Sequence, residues 1–296
     1  MENSAPRIAL IVLTYRFPEI TLRCLESISK NVPDAFTLFL VNNSPEDGSA
    51  ELLQKGLAAT GMDYRYLESP GNLGFSGGMN LGMRRALKDG FSHMALLNND
   101  TVVDPDFGER LREEVRSHPY EVLAGLIVDP VSRKPTYNIG NLSRWTFRVE
   151  HIFRRDYGAD FDFVSGCFVV FPSQVLKKIG LLREDYFMYA EDTELCIRLT
   201  KAGVKILYCP SIVVAHTFGS SADRSRVPKE YYLTRNHTHL VFLHGSPLQK
   251  LVYASFLTKL VLNQIRHPER ISQIVPGILD AIRGRMGQRS KKPELT

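Results

Sequence analysis

The chain has 296 residues, 44% hydrophobic and 23% charged, enough for a large α/β core of ordinary soluble composition. Its cysteines (Cys24, Cys167, Cys196, Cys209) are scattered with no Cys-x-x-Cys pair, which excludes a disulfide framework or cysteine-zinc site and suits a reducing compartment. The net charge of +5 belongs to the C-terminal segment: nine basic against three acidic residues from Pro247 to Thr296 give it +6 and leave −1 elsewhere, so the basic balance does not argue for nucleic acid. No apolar run precedes Arg7, and no window approaches the ~20 apolar residues of a membrane span. The expected location is cytoplasmic.

Residues 8–13 form a continuous apolar run, the pattern of a parallel strand covered on both faces, and it ends at Thr14-Tyr15. Pro18 then opens a helix with Leu22, Leu25 and Ile28 on one face. A strand over 36–41 runs into a loop of turn formers from Asn42-Asn43 to Asp47-Gly48-Ser49, followed by a helix over 49–59 and a strand over 63–67. This alternation predicts a Rossmann-like, mostly parallel sheet flanked by helices. Such sheets bind nucleotides beyond the carboxyl ends of their strands, where Thr14, Asn42 and Asp100 fall.

Gly71 to Asn80 reads as a glycine loop ahead of a helix over 81–88. A backbone of this kind can approach a ligand closely, and a helix start offers N–H groups to phosphate; the alternative is a plain flexible loop. It is neither the dinucleotide fingerprint nor a Walker loop. Residues 93–97 are a further buried strand, after which Asn98-Asn99-Asp100-Thr101 arrives. Asp100 should close that strand with its carboxylate facing a cleft, where it could hold a hard divalent cation such as Mg²⁺. The alternative is a turn.

A helix from Asp106 and a strand over 122–128 continue the sheet, and residues 135–156 then lose the rhythm, with a hairpin arm over 145–153. The chain is expected to pass here from a nucleotide-binding half (1–130) to an acceptor-binding half (131–245). Residues 162–171 read as a strand with Gly166 in the middle, a place for close approach, and a helix over 173–179 stops at Gly180. After the aromatic run to Tyr189, Glu191, Asp192 and Glu194 crowd a helix start. One acid would serve as cap or dipole partner; acids held against rings can act as general bases near neutral pH. Strands over 204–208 and 212–216 end at His216, a ligand or a structural histidine. Arg235, in Tyr231-Tyr232-x-x-Arg235-Asn236, is a clamp for a diphosphate or an ordinary surface cation. His237 and His239 have no acid or cysteine beside them and are not read as a metal site. Residues 246–296 form a basic amphipathic helical tail, suited to a membrane surface or to packing on the domain or on a second subunit, as in a homodimer.

In this order, from residue 8 to residue 244, the motifs resemble those of the family 2 inverting glycosyltransferases of GT-A fold, above all the rhamnosyltransferase-like bacterial subgroup. Val41-Asn42-Asn43 to Asp47-Gly48-Ser49 is similar to the family's Val-Asp-Asn…Asp-Gly-Ser loop, with Asn42 replacing the usual Asp. Asn72-Leu73-Gly74-Phe75…Asn80 is similar to the Asn-x-Gly-Phe…Asn loop of rhamnosyl- and galactofuranosyl-transferases. Asn98-Asn99-Asp100 stands in the place of the Asp-x-Asp motif, and Glu191-Asp192 in that of the Glu-Asp motif.

The resemblance implies that Asp192 is the base with Glu191 beside it, and that Asp100 and His216 hold Mg²⁺ or Mn²⁺. It assigns Thr14, Tyr15, Asn42, Asn43, Asn72, Gly74, Phe75, Asn80, Asn98, Asn99 and Arg235 to the donor, and Gly166 and Tyr189 to the acceptor. The implied donor is dTDP-rhamnose, with UDP-galactofuranose or another UDP-sugar as runner-up. The implied acceptor is a polysaccharide or lipid-linked precursor at the inner face of the cell membrane, reached through peripheral contact of residues 247–296. A nucleotidyltransferase would need a glycine-rich basic loop after the first strand, which residues 14–18 are not. A non-catalytic sugar-nucleotide-binding or membrane-scaffold protein is the remaining alternative.

Overall fold

The computed structural model describes residues 5–32, 36–155, 158, 160–217 and 228–289. The first half builds β1 (Ile8–Thr14), α1 (Pro18–Asn31), β2 (Phe36–Asn42), α2 (Ala50–Ala59), β3 (Asp63–Glu68), α3 (Gly74–Lys88), β4 (His93–Asn98) and β5 (Thr101–Val103). Next come α4 (Phe107–Ser117), β6 (Val122–Val128), β7 (Ile139–Leu142), β8 (Val149–Ile152), β9 (Phe163–Val164), β10 (Phe168–Pro172) and α5 (Ser173–Ile179). Then follow α6 (Glu191–Lys201), β11 (Ile206–His216), α7 (Lys229–His244), α8 (Pro247–Asn263) and α9 (Pro268–Ile282).

The main sheet runs β3-β2-β1-β4-β10-β6-β11-β5. Every residue of β1, β2 and β6 is buried, because helices cover both faces and leave no side on which a polar residue could meet water. Leu25, Ile28, Leu53 and Leu111 from α1, α2 and α4 fill one face; Met79, Met83, Val175 and Leu195 from α3, α5 and α6 fill the other. The parallel register sets Thr14 beside Asn42 and Leu13 beside Asn98. Three strands therefore end at one edge, which is where the site forms.

Three sequence expectations change. The stretch read as a glycine loop is largely helix: α3 starts at Gly74. A Cβ on Gly78 would lie 2.4 Å from Leu13, and one on Gly82 2.6 Å from Ile11, so these glycines let α3 lie close on β1 and make no phosphate cradle. Residues 162–171 are two strands in separate sheets, β9 in the small sheet β8-β7-β9 and β10 antiparallel to β4. The break is Ser165-Gly166-Cys167, where the Ser165 N–H donates to Asn138 O at 2.7 Å. The strands read over 204–208 and 212–216 are one strand, β11, whose pairing with β6 slips between Cys209 and Val213, at Pro210, which has no N–H to give the ladder.

In the tail, α9 lies against α7. Gly277 marks the close approach, since a Cβ there would sit 2.8 Å from Tyr231 O, and the Tyr231 hydroxyl donates to Asp280 at 2.8 Å. By contrast α8 buries only Tyr253 and exposes Leu248, Leu251 and Leu262. Among the described residues no helix is long and apolar enough to cross a membrane.

Candidate active site

The ends of β1, β2 and β4 face the small sheet and the start of α6 across a cleft of about 890 Å³. Of the residues singled out from sequence, Tyr15, Asn43, Asn72, Gly74, Phe75, Asn98, Asn99 and Asp100 line this cleft, together with Gly166, Tyr189, Glu191, Asp192 and His216.

Asp100 sits in the turn between β4 and β5. The β5–β11 ladder pairs Thr101 with His216, which brings the imidazole Nε2 to 3.0 Å from Asp100 Oδ1, with the two side chains 5% and 9% exposed. Burial pushes the His216 imidazole down, but the Cys167 sulfur and the Asp100 carboxylate outweigh it and raise the group to about 10. Tyr137 OH lies 3.4 Å from the other ring nitrogen. Asn98 Oδ1 is buried with no hydrogen-bond partner among the described residues, and Asn98 lines the same cleft. One carboxylate, an imidazole whose ring proton a cation would displace, and an orphaned amide oxygen fit a divalent cation that takes its other ligands from a diphosphate and water. Among the described residues, no group of three or more His, Cys, Asp or Glu joins there.

Opposite, Asp192 is held as an acceptor. Its Oδ1 takes the Thr193 N–H at 2.7 Å and the Thr193 hydroxyl at 3.3 Å, and its Oδ2 takes the Gly166 N–H at 3.2 Å. Burial raises both acids of the pair. Glu191 goes up to about 8, through burial first and the adjacent Asp192 second, while the donors to Asp192 work against the rise. Glu191 Oε2 has no partner among the described residues. Two adjacent acids do not both ionise at low cost, and the donors on Asp192 favour placing the charge there and the proton on Glu191.

The backbone leading into this pair is strained. Phe187, Tyr189 and Ala190 have φ of 63°, 69° and 64°, a region costly to residues with a Cβ, on the order of 1–3 kcal/mol each. Phe187, with ψ −59° and a Met188 N–H to Tyr186 O bond of 2.7 Å, forms the less common, strained kind of γ-turn.

Four residues assigned to the donor do not line the cleft. Thr14 accepts from the Thr21 hydroxyl at 2.7 Å. Asn42 is fully buried, accepting the Ser44 N–H and donating to Tyr66 OH. Asn80 ties α3 to Leu182 and Glu184. Arg235 is 0% exposed; it donates to Gly287 O at 2.6 Å and Tyr186 O at 3.0 Å and lies over the rings of Tyr231 and Tyr232. Each is spent on bracing a loop. The lining also holds Tyr137, Arg148, His151, Lys229 and His237, which sequence reasoning did not select. The alternation of Val149 and His151 along β8 was the available signal for part of this wall.

Residues 6–229 match the family described as Glycosyltransferase like family 2, and the chain belongs to it. The protein is a glycosyltransferase of GT-A fold. It is 24% identical over 300 residues to the low-salt glycan biosynthesis hexosyltransferase Agl10 of Haloferax volcanii, covering 97% of this chain and 93% of that one. It is 22% identical to the dTDP-rhamnosyl transferase RfbF of Shigella flexneri, over 73% of this chain and 77% of that one. Among solved structures, GalNAc-T7 with UDP, GalNAc and Mn²⁺ superposes with a TM-score of 0.66 at 12% identity, covering 96% of this chain, which spans 58% of that one. The mannosyltransferase PcManGT of Pyrobaculum calidifontis, in complex with GDP-Man and Mn²⁺, superposes with a TM-score of 0.60 at 13% identity, covering 95% and 88%.

Proposed function

We propose that the protein transfers L-rhamnose from dTDP-rhamnose, with inversion, onto a hydroxyl of a lipid-linked oligosaccharide or surface-polysaccharide precursor. One observation carries this reading: Asp100 with His216, and Asp192 with Glu191, line a single cleft. The similarity to RfbF, described as a dTDP-rhamnosyl transferase, supports the choice of donor.

Tyr15, Asn43 and Asn72 lie where the nucleotide enters, and Asn43 fixes that wall by accepting the Leu73 N–H at 3.0 Å and donating to Gly74 O at 3.1 Å. Asp192, ionised and aimed by three donors, removes the proton from the acceptor hydroxyl as its oxygen bonds to the anomeric carbon. The bond from that carbon to the diphosphate breaks on the opposite face, and its electron pair leaves with the nucleotide. Asp100 and His216, with Asn98 in the same lining, would hold Mg²⁺ or Mn²⁺, which would supply Lewis-acid stabilisation of the departing diphosphate. General-base assistance of this kind is worth ~10²–10⁴ in rate.

Arg148 and Lys229 in the lining suit an acceptor that carries phosphate. Arg148 also lies over the Phe256 ring of α8 at 5.1 Å, which joins the cleft to a helix with exposed leucines. That continuity supports peripheral contact of residues 247–296 with a membrane presenting the acceptor. A thermal-shift panel of nucleotide sugars with and without Mn²⁺ tests the donor. Stabilisation by dTDP-rhamnose plus Mn²⁺, about 2.7 kcal/mol at a hundredfold excess over Kd, is expected, with UDP-sugars giving none. A UDP-sugar as the stabilising ligand would replace the donor, and no response to any nucleotide sugar would end the proposal.

A further inference from the structure

The Tyr231-Tyr232-x-x-Arg235-Asn236 stretch lies outside the cleft, yet its polar atoms converge on the loop that carries the acid pair. Asn236 is 0% exposed, and its Nδ2 shares its two N–H groups among three carbonyls of that loop: Tyr186 O at 2.9 Å, Met188 O at 2.7 Å and Tyr189 O at 2.7 Å. Arg235 fixes the amide by donating from Nε to Asn236 Oδ1 at 2.9 Å, and also reaches Tyr186 O. From the other side, the Ser76 N–H donates to Phe187 O at 3.3 Å, and the Phe187 ring stacks on Tyr232 with centroids 5.4 Å apart. A further strap closes behind: the Gly287 N–H donates to Asp185 O and Gly287 O accepts from Arg235.

Strained backbone persists only where its surroundings over-determine it, and here the Asn236 amide and its arginine grip the loop at more points than the Ser76 N–H or the Tyr232 ring does. The three left-handed residues Phe187, Tyr189 and Ala190 are the ones gripped or immediately adjacent to the grip. The chain then enters α6, whose first two residues are Glu191 and Asp192.

We propose that Asn236, oriented by Arg235, is a positioning residue for transfer: its amide holds Tyr186–Ala190 in the one conformation that aims Asp192 and Tyr189 into the cleft. It touches no substrate, and the proposal rests on the reading of Asp192 as the base. Asn236→Ala frees the loop to relax toward ordinary backbone angles and moves the carboxylate. A displacement of about 1 Å costs on the order of 10²-fold in rate, so kcat should fall by that order while KM for the nucleotide sugar changes less than threefold. Adding Ala190→Gly, which makes the left-handed angle at 190 free of strain, should restore kcat about tenfold.

Wild-type kcat in folded Asn236→Ala, or a loss seen only in KM, overturns the proposal, as does a double mutant no faster than the single one. Should Asn236→Ala not fold, amide exchange in the intact wild-type chain decides: Met188 and Ser76 are expected to exchange as slowly as the interior of α7, and solvent-like exchange there refutes the grip. Asp192→Asn, assayed alongside, separates the two claims. Normal turnover in that variant removes the base assignment, whereas normal kcat in Asn236→Ala removes only the positioning role.

Discussion

Gly74 is where the start of α3 touches the acid loop, and replacing it with alanine perturbs both at one point. Its φ of +71° is left-handed, and a Cβ there would lie 2.2 Å from Phe187 O and 2.5 Å from the Phe187 ring. The backbone angle alone costs an L-residue about 1–2 kcal/mol. The contact adds about 1–3 kcal/mol as overpacking, because the atom struck is a backbone carbonyl already held by the Ser76 N–H. The sum is about 2–5 kcal/mol, and with an unfolding entropy of about 2.1 cal/mol/K per residue it lowers Tm by about 3–8 °C. Gly48 provides the control: φ is +75° but a Cβ there meets nothing within 4 Å, so Gly48→Ala should show the backbone cost only. Calorimetry on both variants, with transfer kinetics on each, isolates the contact. If Gly74→Ala is no less stable than Gly48→Ala and turns over as fast, the argument that Phe187 is wedged between α3 and α7 is refuted.

The other expectations concern buried charge. Glu194 is 1% exposed and meets Arg198 at 2.8 Å and His244 at 3.1 Å, so Glu194→Ala leaves the Arg198 guanidinium without its acid and should cost about 3–5 kcal/mol in denaturant unfolding. Burial works against the Glu194 carboxylate, but the bonds from His244 and Arg198 prevail and hold it below the ordinary value of 4.5. Its stabilisation is therefore present above that value and is lost as pH falls through the lowered one; Glu194→Gln should flatten the acid limb of the stability curve. Glu191 has the opposite sign. Its folded form keeps a proton up to about 8 where the unfolded chain releases it near 4.5, so stability falls across that window. Glu191→Gln should match wild type at pH 4 and exceed it progressively towards pH 8 in Tm. An unchanged difference between the two pH values would contradict burial of that carboxyl.

The apolar strands and the acid clusters were legible because each stands out against its surroundings: β1 and β6 carry no polar residue before their ends, and Asp100 and Asp192 follow apolar or aromatic runs. What could not be read was which of two adjacent residues faces the cleft. Side chains alternate along a strand, so where Thr14 turns inward Tyr15 lines the site, and where Asn42 is enclosed Asn43 does. Arg235 was unreadable for a different reason. Its acceptors, Tyr186 O and Gly287 O, lie about fifty residues away on either side, and no local pattern announces such a burial. The antiparallel insertion of β10 between β4 and β6 is likewise a pairing between distant segments, which the composition of the strand does not announce.

The central claim is a division of labour across one cleft: Asp100 for the leaving diphosphate, Asp192 for the proton. Titration of Mn²⁺ and dTDP-rhamnose binding in Asp100→Asn and Asp192→Asn, with turnover of each, tests it most directly. Asp192→Asn should bind donor like wild type and lose ~10²–10⁴ in kcat, and Asp100→Asn should lose the Mn²⁺-dependent part of binding. Wild-type turnover in Asp192→Asn, or undiminished Mn²⁺-dependent binding in Asp100→Asn, would contradict it.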